Sequence, residues 1–107
     1  MVRALIVDKN MLESKIEGVV ARYAKSKGYI TQKFSSCIFR GLPDHLFIAP
    51  YGLILFVEFK RLGAKPTERQ SLVINKLTNQ GCLVFVIDNI EDGKKLIDKY
   101  LEKNIWV

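Results

Sequence analysis

One stretch of the chain decides its fold: residues 52–61 read GLILFVEFKR. Five consecutive apolar residues, 53–57, lead directly into Glu58, and Lys60 follows two positions later. An apolar run without alternation predicts a strand buried on both faces, as in the centre of a sheet. A charged pair at the end of such a strand costs free energy unless it is paired or used in chemistry. Because side chains alternate along a strand, Glu58 and Lys60 are predicted to point the same way.

The residues just before this stretch predict a hairpin partner for the strand. Residues 45–49 read as a strand, and residues 50–52, Pro-Tyr-Gly, form a tight-turn signal between the two. In an antiparallel hairpin the start of the first strand lies beside the end of the second. Asp44 is therefore predicted to lie near Glu58 and Lys60. Taken alone, Asp44 also fits a plain turn residue, and Glu58 with Lys60 fits a plain ion pair.

The rest of the pattern predicts an α/β fold with the order α-β-β-β-α-β-α, a mixed β-sheet flanked by helices. Apolar residues at helical spacing, turn signals and short apolar runs mark the elements. They are a helix that ends before Gly28, a strand over residues 29–34, the hairpin, a helix from Thr67 to Gly81, a strand over residues 83–87 and a helix over residues 91–103. Thr67 and Gln70 form a capping-box pattern at the start of the second helix.

Composition limits the class of protein. The 107 residues, 49% hydrophobic and 26% charged, match a single domain over residues 1–107. No apolar run approaches the ~20 residues of a membrane span, and Asp8 directly after the short apolar stretch 4–7 excludes a secretory signal. Cys37, in a predicted loop, and Cys82 are too few for a disulfide framework and lack metal-ligand spacing. A reducing cytoplasm is the expected compartment.

The distribution of charge is more informative than its total of +6. Residues 18–67 hold eight basic side chains and two acids, Asp44 and Glu58, so this stretch carries the whole net charge. Such a region is typical of a surface that binds a polyanion, most often nucleic acid; a basic surface with no partner is the alternative. Two neighbouring carboxylates favour a bound divalent cation, and all-oxygen ligands favour Mg²⁺ or Mn²⁺. A lysine beside such a cation suits phosphodiester hydrolysis.

The same residues resemble a known family. Residues 41–44 (Gly-Leu-Pro-Asp), residues 58–60 (Glu-Phe-Lys) and residues 66–70, with their Pro-Thr start and final Gln, are similar to the virus-type replication-repair nuclease (VRR-NUC) family. That family belongs to the PD-(D/E)XK nuclease superfamily, so the resemblance implies a restriction-endonuclease-like core and a Mg²⁺-dependent DNA endonuclease. It also implies roles for individual residues: Asp44, Glu58 and the main-chain carbonyl of Phe59 would hold the metal, Lys60 would be the catalytic lysine, and Gln70 would line the active site.

An acid on the first helix usually completes the site in this family. The family pattern Glu-x-x-Ile-Glu matches Glu13, Ile16 and Glu17. At 100° per residue, Glu13 lies nearer the centre of the apolar stripe than Glu17 does, so Glu13 is the expected ligand and Glu17 the reserve. An exposed pair on the helix surface is the alternative for both. His45, next to Asp44, is predicted to point to the opposite face and to be structural or exposed.

The residues and the resemblance both bear on substrate and assembly. Four basic residues are predicted phosphate contacts, and a plain solvated side chain is the alternative for each of them: Lys33, Arg40, Arg61 and Lys65. Small members of the family resemble Holliday-junction resolvases, so we expect a structure-specific endonuclease for branched, four-way DNA. A two-fold homodimer would supply two sites for paired cuts, with the apolar residues 2–7, a possible edge strand, and 105–107 as candidate dimer surface. The alternatives are a non-catalytic nucleic-acid-binding module and a sequence-specific restriction-type nuclease.

Overall fold

The computed structural model describes residues 9–34 and 40–102. Along the chain the elements are α1 (Lys9–Ser26), β1 (Ile30–Lys33), β2 (His45–Ile48), β3 (Ile54–Phe59), α2 (Glu68–Asn79), β4 (Leu83–Ile87) and α3 (Ile90–Lys99). The predicted order of elements is confirmed. Three predicted features lie outside the described residues: the edge strand 2–7, the loop around Cys37 and the apolar end 105–107. None of the described helices combines the length and apolar character needed to cross a membrane.

The four strands form one mixed sheet in the order β1-β2-β3-β4. β1 and β3 both pair antiparallel with β2, whereas β3 and β4 pair parallel. The predicted central position of the apolar strand is therefore correct. A tight turn joins β2 to β3: Gly52 N donates to Ala49 O at 2.8 Å, and Ala49 N donates to Leu53 O at 2.8 Å. Gly52 adopts a φ of +95°, which favours glycine.

The hydrophobic core lies between one face of the sheet and the pair α1 and α3. Alternate residues of β3, Leu55, Val57 and Phe59, are fully buried on this face, together with Phe47 of β2. The rings of Phe47 and Phe59 meet edge to face, with centroids 6.2 Å apart. Ile97 of α3 is also fully buried. Because each large side chain buried in this way contributes about 1.5–3 kcal/mol, this face supplies most of the stability of the fold.

The capping box predicted at the start of α2 is present. Thr67 Oγ1 accepts a hydrogen bond from Gln70 N at 3.2 Å, and Gln70 Oε1 accepts one from Thr67 N at 2.9 Å. Each side chain satisfies a backbone donor that the helix leaves unpaired. The end of β3 is thus followed by a rigidly defined helix start.

The third helix is shorter than predicted. It ends at Lys99 rather than at residue 103, and Tyr100 adopts a non-helical conformation as its C-cap. The Tyr100 ring is buried and packs on Phe85, with centroids 5.8 Å apart. The Tyr100 carbonyl accepts a hydrogen bond at 3.0 Å from the hydroxyl of Tyr51, in the β2–β3 turn. A tertiary partner therefore satisfies this carbonyl, which the sequence pattern of the helix does not indicate.

Candidate active site

The β2–β3 hairpin brings two acids together at one end of the sheet. His45 pairs with Val57, so the preceding residue, Asp44, lies beside Glu58. Asp44 N donates a hydrogen bond to Glu58 Oε1 at 3.2 Å, and Phe59 N donates one to Asp44 Oδ1 at 3.4 Å. The two carboxylates and the Phe59 backbone form one cluster, as the register of a tight hairpin predicts.

The turn before Asp44 packs directly against α2. Gly41 in this turn has a φ of +88°. A Cβ atom there would lie 2.8 Å from Val73 Cγ2 and 3.0 Å from Arg69 O. Only glycine gives both the left-handed conformation and the close approach. The Gly-x-Pro-Asp sequence therefore positions Asp44 beside the first turns of α2.

A lysine and a glutamine complete the contacts of Glu58. Lys60 Nζ lies 3.4 Å from Glu58 Oε2, so Glu58 and Lys60 share a face as predicted. Gln70 Nε2 donates to the same oxygen at 3.0 Å. Because Gln70 Oε1 is held by the capping box, the orientation of the Gln70 amide is fixed from both ends. Both oxygens of the buried Glu58 side chain are thus held by named partners.

The crowding of acids changes their proton affinity. Burial, together with the neighbouring carboxylates of Glu58 and Glu17, raises the pKa of Asp44 to about 7, against the opposing hydrogen bond from Phe59 N. Burial also raises the pKa of Glu58, although Lys60 opposes this shift. In the metal-free protein the acids therefore hold protons more tightly than exposed acids do. A cation between them would remove this effect.

The expectation that Glu13 lies nearer the buried border of α1 than Glu17 is wrong. Glu17 is buried at 8% exposure, whereas Glu13 is partly exposed. The apolar stripe does not separate the two acids, because the fully buried Ala24, seven residues after Glu17, moves the centre of the stripe toward Glu13 and Glu17 alike. Glu17 is the buried acid because it lies against β1 and β2, where Lys33 and His45 contact it. The charges of Glu17 and Glu13 both raise the pKa of Asp44, so both acids lie on the side of α1 nearer to Asp44.

Two residues from neighbouring strands contact Glu17. Lys33 Nζ lies 3.2 Å from Glu17 Oε2 and 3.3 Å from Oε1. His45 Nδ1 lies 3.0 Å from Oε2, although the two buried atoms are not aligned for a good hydrogen bond. His45 is buried and stacks on Phe47 at a centroid distance of 5.0 Å, so it is structural rather than exposed. Burial lowers the pKa of His45, and Glu17 opposes this shift.

The three remaining predicted phosphate contacts are close in the sequence to the residues of the acidic cluster. Arg40 precedes the turn before Asp44, and Arg61 and Lys65 follow Lys60 in the β3–α2 loop. Arg40 and Lys65 are exposed and Arg61 is half-exposed. Gly63 N in this loop donates to Asp88 Oδ2 at 3.0 Å, which ties the loop to the end of β4. Lys33 differs from these three, because it forms an ion pair with Glu17.

The donor set fits a hard divalent ion that keeps part of its water shell. Across residues 9–34 and 40–102, no group of three or more His, Cys, Asp or Glu side chains is arranged to hold a metal by itself. The candidate ligands are the carboxylates of Asp44 and Glu58 with the Phe59 carbonyl. Mg²⁺ is commonly held by one or two carboxylates, with water and substrate phosphate as its other ligands. Burial and the neighbouring acids raise the pKa of both Asp44 and Glu58, and a bound cation would offset these effects.

Comparisons with known proteins point in one direction. A protein of Acyrthosiphon pisum secondary endosymbiont phage 1, described as "Putative nuclease p44", is 39% identical over 77 residues, which cover 72% of this chain and 83% of that protein. A solved structure described as "VRR_NUC domain" superposes with a TM-score of 0.75 at 30% identity, over 82% of this chain and 96% of that one. A second, described as "VRR_NUC domain protein", has a TM-score of 0.69 at 19% identity, over 83% and 87%, and shows the shared fold. No family model matches the chain.

Proposed function

The chain belongs to the VRR-NUC family, and on that premise we propose that it is a metal-dependent nuclease that hydrolyses phosphodiester bonds in DNA. One observation carries the proposal: Asp44, Glu58 and Lys60 converge at the carboxyl end of β3. Glu58 Oε1 accepts from Asp44 N at 3.2 Å, Asp44 Oδ1 accepts from Phe59 N at 3.4 Å, and Lys60 Nζ lies 3.4 Å from Glu58 Oε2. Carboxylates around a cation, with a lysine beside them, suit the cleavage of a phosphodiester.

The metal would be Mg²⁺, with Mn²⁺ as a substitute. Asp44, Glu58 and the Phe59 carbonyl would hold it, and either Glu13 or Glu17 would complete the acidic set. When bound, the ion would polarise the scissile phosphate and lower the pKa of an attacking water. Asp44 Oδ2 accepts no hydrogen bond from the described residues, which supports a role for this oxygen as a ligand.

The protein side chains would position and stabilise the reacting groups. The Lys60 ammonium would offset negative charge that develops on the phosphate, since it lies beside Glu58 at the rim of the buried strand end. Gln70 would hold the Glu58 carboxylate in one orientation. The backbone N–H groups of Glu68 and Arg69, at the start of α2, lie outside the capping box, and donors at a helix start favour a phosphate oxygen.

The proposed substrate is branched DNA, four-way junctions above all, cut by a homodimer in a bacterial cell or phage-infected host. The basic residues Arg40, Arg61 and Lys65 support a polyanionic substrate. The preference for branches and the dimer are inferred from the resemblance of small family members to junction resolvases. The phage origin of the related nuclease supports a cytoplasmic location.

A cleavage assay on linear, flapped and four-way DNAs, with and without Mg²⁺, tests the proposal, together with the solution mass. We expect Mg²⁺-dependent cutting of the four-way DNA by a dimer, and an Asp44→Ala variant that binds DNA without cutting it. Unchanged cutting by Asp44→Ala would refute the mechanism. Binding without cutting under every metal condition would identify a non-catalytic module, and cutting of linear duplex at a fixed sequence would identify a restriction-type enzyme.

A further inference from the structure

We propose that Lys33 and His45 are positioning residues that hold the carboxylate of Glu17 beside the Asp44–Glu58 cluster. The inference rests on the proposed nuclease function, because it assigns these residues a part in cleavage. We name the three residues Lys33, His45 and Glu17 the Glu17 clamp. None of the motifs in the sequence assigns Lys33 or His45 to such a role.

The sheet itself builds the clamp. Lys33 and His45 are direct cross-strand partners, the last residue of β1 opposite the first residue of β2. Side chains of directly opposed residues project from the same face of a sheet. α1 packs on that face and presents Glu17 to both. The ammonium lies 3.2 Å and the imidazole 3.0 Å from the same oxygen of Glu17, so the carboxylate is contacted by both strands.

The clamp restricts its members differently. The His45 ring stacks on Phe47 with planes 19° apart and meets the Phe59 ring edge-on at 5.5 Å, so packing fixes its orientation. Lys33, by contrast, is 63% exposed and supplies charge from the solvent side. The imidazole is therefore a fixed surface against which Glu17 lies, and the lysine compensates the charge of a side chain that is 11% exposed.

Stability alone does not explain a charged group at this position. A buried ion pair is often no better for stability than well-packed apolar residues of similar volume. Glu17 is buried on a helix whose other buried residues, Ile16 and Val20 among them, belong to the hydrophobic core. Both partners of Glu17 are joined to Asp44 through the backbone: His45 directly follows Asp44, and Phe34, the residue after Lys33, donates its N–H to Asp44 O at 2.9 Å. A fixed carboxylate beside a catalytic cluster is a useful feature for chemistry, because small displacements of such groups reduce rates strongly.

The clamp and a phosphate contact make different predictions for Lys33. A phosphate contact contributes to DNA affinity and leaves the rate on saturating DNA unchanged. A positioning residue leaves DNA affinity unchanged and lowers that rate. It also has no effect once Glu17 has lost its charge, because it acts through Glu17.

The test is a double-mutant cycle in the full chain. The variants are Lys33→Met, Lys33→Arg, His45→Gln, Glu17→Gln and the two pairs that combine Lys33→Met or His45→Gln with Glu17→Gln. Lys76→Met, which removes an exposed lysine of α2 that forms no ion pair within the described residues, is the matched control. Single-turnover cleavage of saturating four-way DNA with Mg²⁺, DNA affinity in EDTA and unfolding in urea are measured for each variant.

We expect Lys33→Met, His45→Gln and Glu17→Gln each to lower the cleavage rate by ~10-fold or more, with unchanged DNA affinity. The pairs should be no slower than Glu17→Gln alone, Lys33→Arg should restore most of the rate, and Lys76→Met should cleave like the unmodified chain. Weaker DNA binding with an unchanged rate in Lys33→Met would overturn the proposal, as would multiplied losses in the pairs.

Unfolding separates failure of the clamp from failure of the proposed function. If the unmodified chain cuts none of the DNAs, the nuclease assignment fails, and with it the role in cleavage. The contact is then judged from urea unfolding alone. If Lys33→Met destabilises the unmodified chain but not the Glu17→Gln variant, the contact between Lys33 and Glu17 is supported. If Lys33→Met destabilises both proteins equally, the contact is overturned.

Discussion

Two regions of β3 are buried to a similar degree and serve opposite purposes. Leu55 and Val57, on the core face, are fully buried among apolar groups, and Glu58, one residue further, is 4% exposed among charged and polar ones. Burial of an aliphatic side chain releases free energy, whereas burial of a carboxylate costs it. The strand therefore places a stabilising core and a destabilising acidic cluster side by side.

The difference teaches which substitutions have opposite effects on stability and activity. Changes in the core should lower stability and leave the chemistry at permissive temperature intact. Changes in the acidic cluster should abolish chemistry and relieve repulsion. Such a separation is typical of active sites, where strain is retained for function.

The largest expected effect is that of Asp44→Asn on cleavage. We predict a loss of at least ~10³-fold in the single-turnover rate, equivalent to ~4 kcal/mol of transition-state stabilisation. The amide has nearly the same shape but cannot supply a negative ligand to the metal. Retained DNA binding in EDTA serves as the control for folding, and a variant that still cuts within a factor of ~10 of the unmodified chain would contradict the mechanism.

The same variant should be more stable than the unmodified chain at neutral pH in EDTA. The pKa of Asp44 rises from 3.8 to about 7 on folding, so its contribution to stability is complete below pH 4 and is lost as the pH rises through 7. We predict that urea unfolding at pH 8 favours Asp44→Asn by ~2 kcal/mol, after allowance for solvent near the group. At pH 4 the two proteins should agree. Added Mg²⁺ should stabilise only the unmodified chain, and a difference independent of pH would argue against the crowding of the acids.

The core half of the comparison is tested by Leu55→Ala. Leu55 is fully buried, so we predict a loss of ~3 kcal/mol in unfolding free energy through lost burial and the cavity left behind. Ile54→Ala is the matched control, because Ile54 is the preceding residue of β3, faces the other side of the sheet and is 45% exposed. It should cost ~1 kcal/mol or less. Equal losses in urea unfolding would show that the core is not confined to one face.

The fold was predictable wherever a local pattern carried it. The apolar run 53–57 indicated the central strand, the Pro-Tyr-Gly turn indicated the hairpin, and Thr67 with Gln70 indicated the start of α2. The end of α3 was not predictable, because Tyr51 from a distant turn binds the Tyr100 carbonyl. Local periodicity has no access to such tertiary partners.

The site was predictable in part for the same reason. The hairpin register alone brings Asp44 to Glu58, and period two alone brings Lys60 to Glu58. The burial of Glu17, however, depends on how α1 lies across the sheet, and its partners Lys33 and His45 come from two other elements. No spacing in the sequence connects these three residues. The assignment of catalytic and metal-binding roles stays a prediction until the variants are measured.

A smaller effect is expected where α3 packs on α1. A Cβ atom at Gly93 would overlap Val20 Cγ2 and lie 3.4 Å from Ile87 Cγ2. We predict that Gly93→Ala lowers unfolding free energy by ~2 kcal/mol, because the two helices must move apart. Gly18→Ala is the control: its Cβ would meet only the mobile end of Arg22, at 3.3 Å, and alanine should stabilise α1 by ~0.5–1 kcal/mol. Equal signs for the two substitutions in thermal unfolding would contradict this packing.

The smallest effect concerns the Tyr29 hydroxyl, a polar group in the hydrophobic core. The Tyr29 hydroxyl donates a buried hydrogen bond to Ile97 O at 2.8 Å, and burial raises the pKa of Tyr29 to about 12. Below pH 10 the unmodified chain should therefore be more stable than Tyr29→Phe by ~1 kcal/mol, the net value of one hydrogen bond. A raised pKa in the folded state means that this advantage is lost as the pH rises from 10 toward 12, because the unfolded phenol ionises first. Urea unfolding of both proteins at pH 8, 10 and 11 measures the difference, in which the titration of all other tyrosines and lysines cancels. A difference that stays constant over this range would mean that the Tyr29 hydroxyl is hydrated, and that the core between the sheet and α3 is open to water at this point.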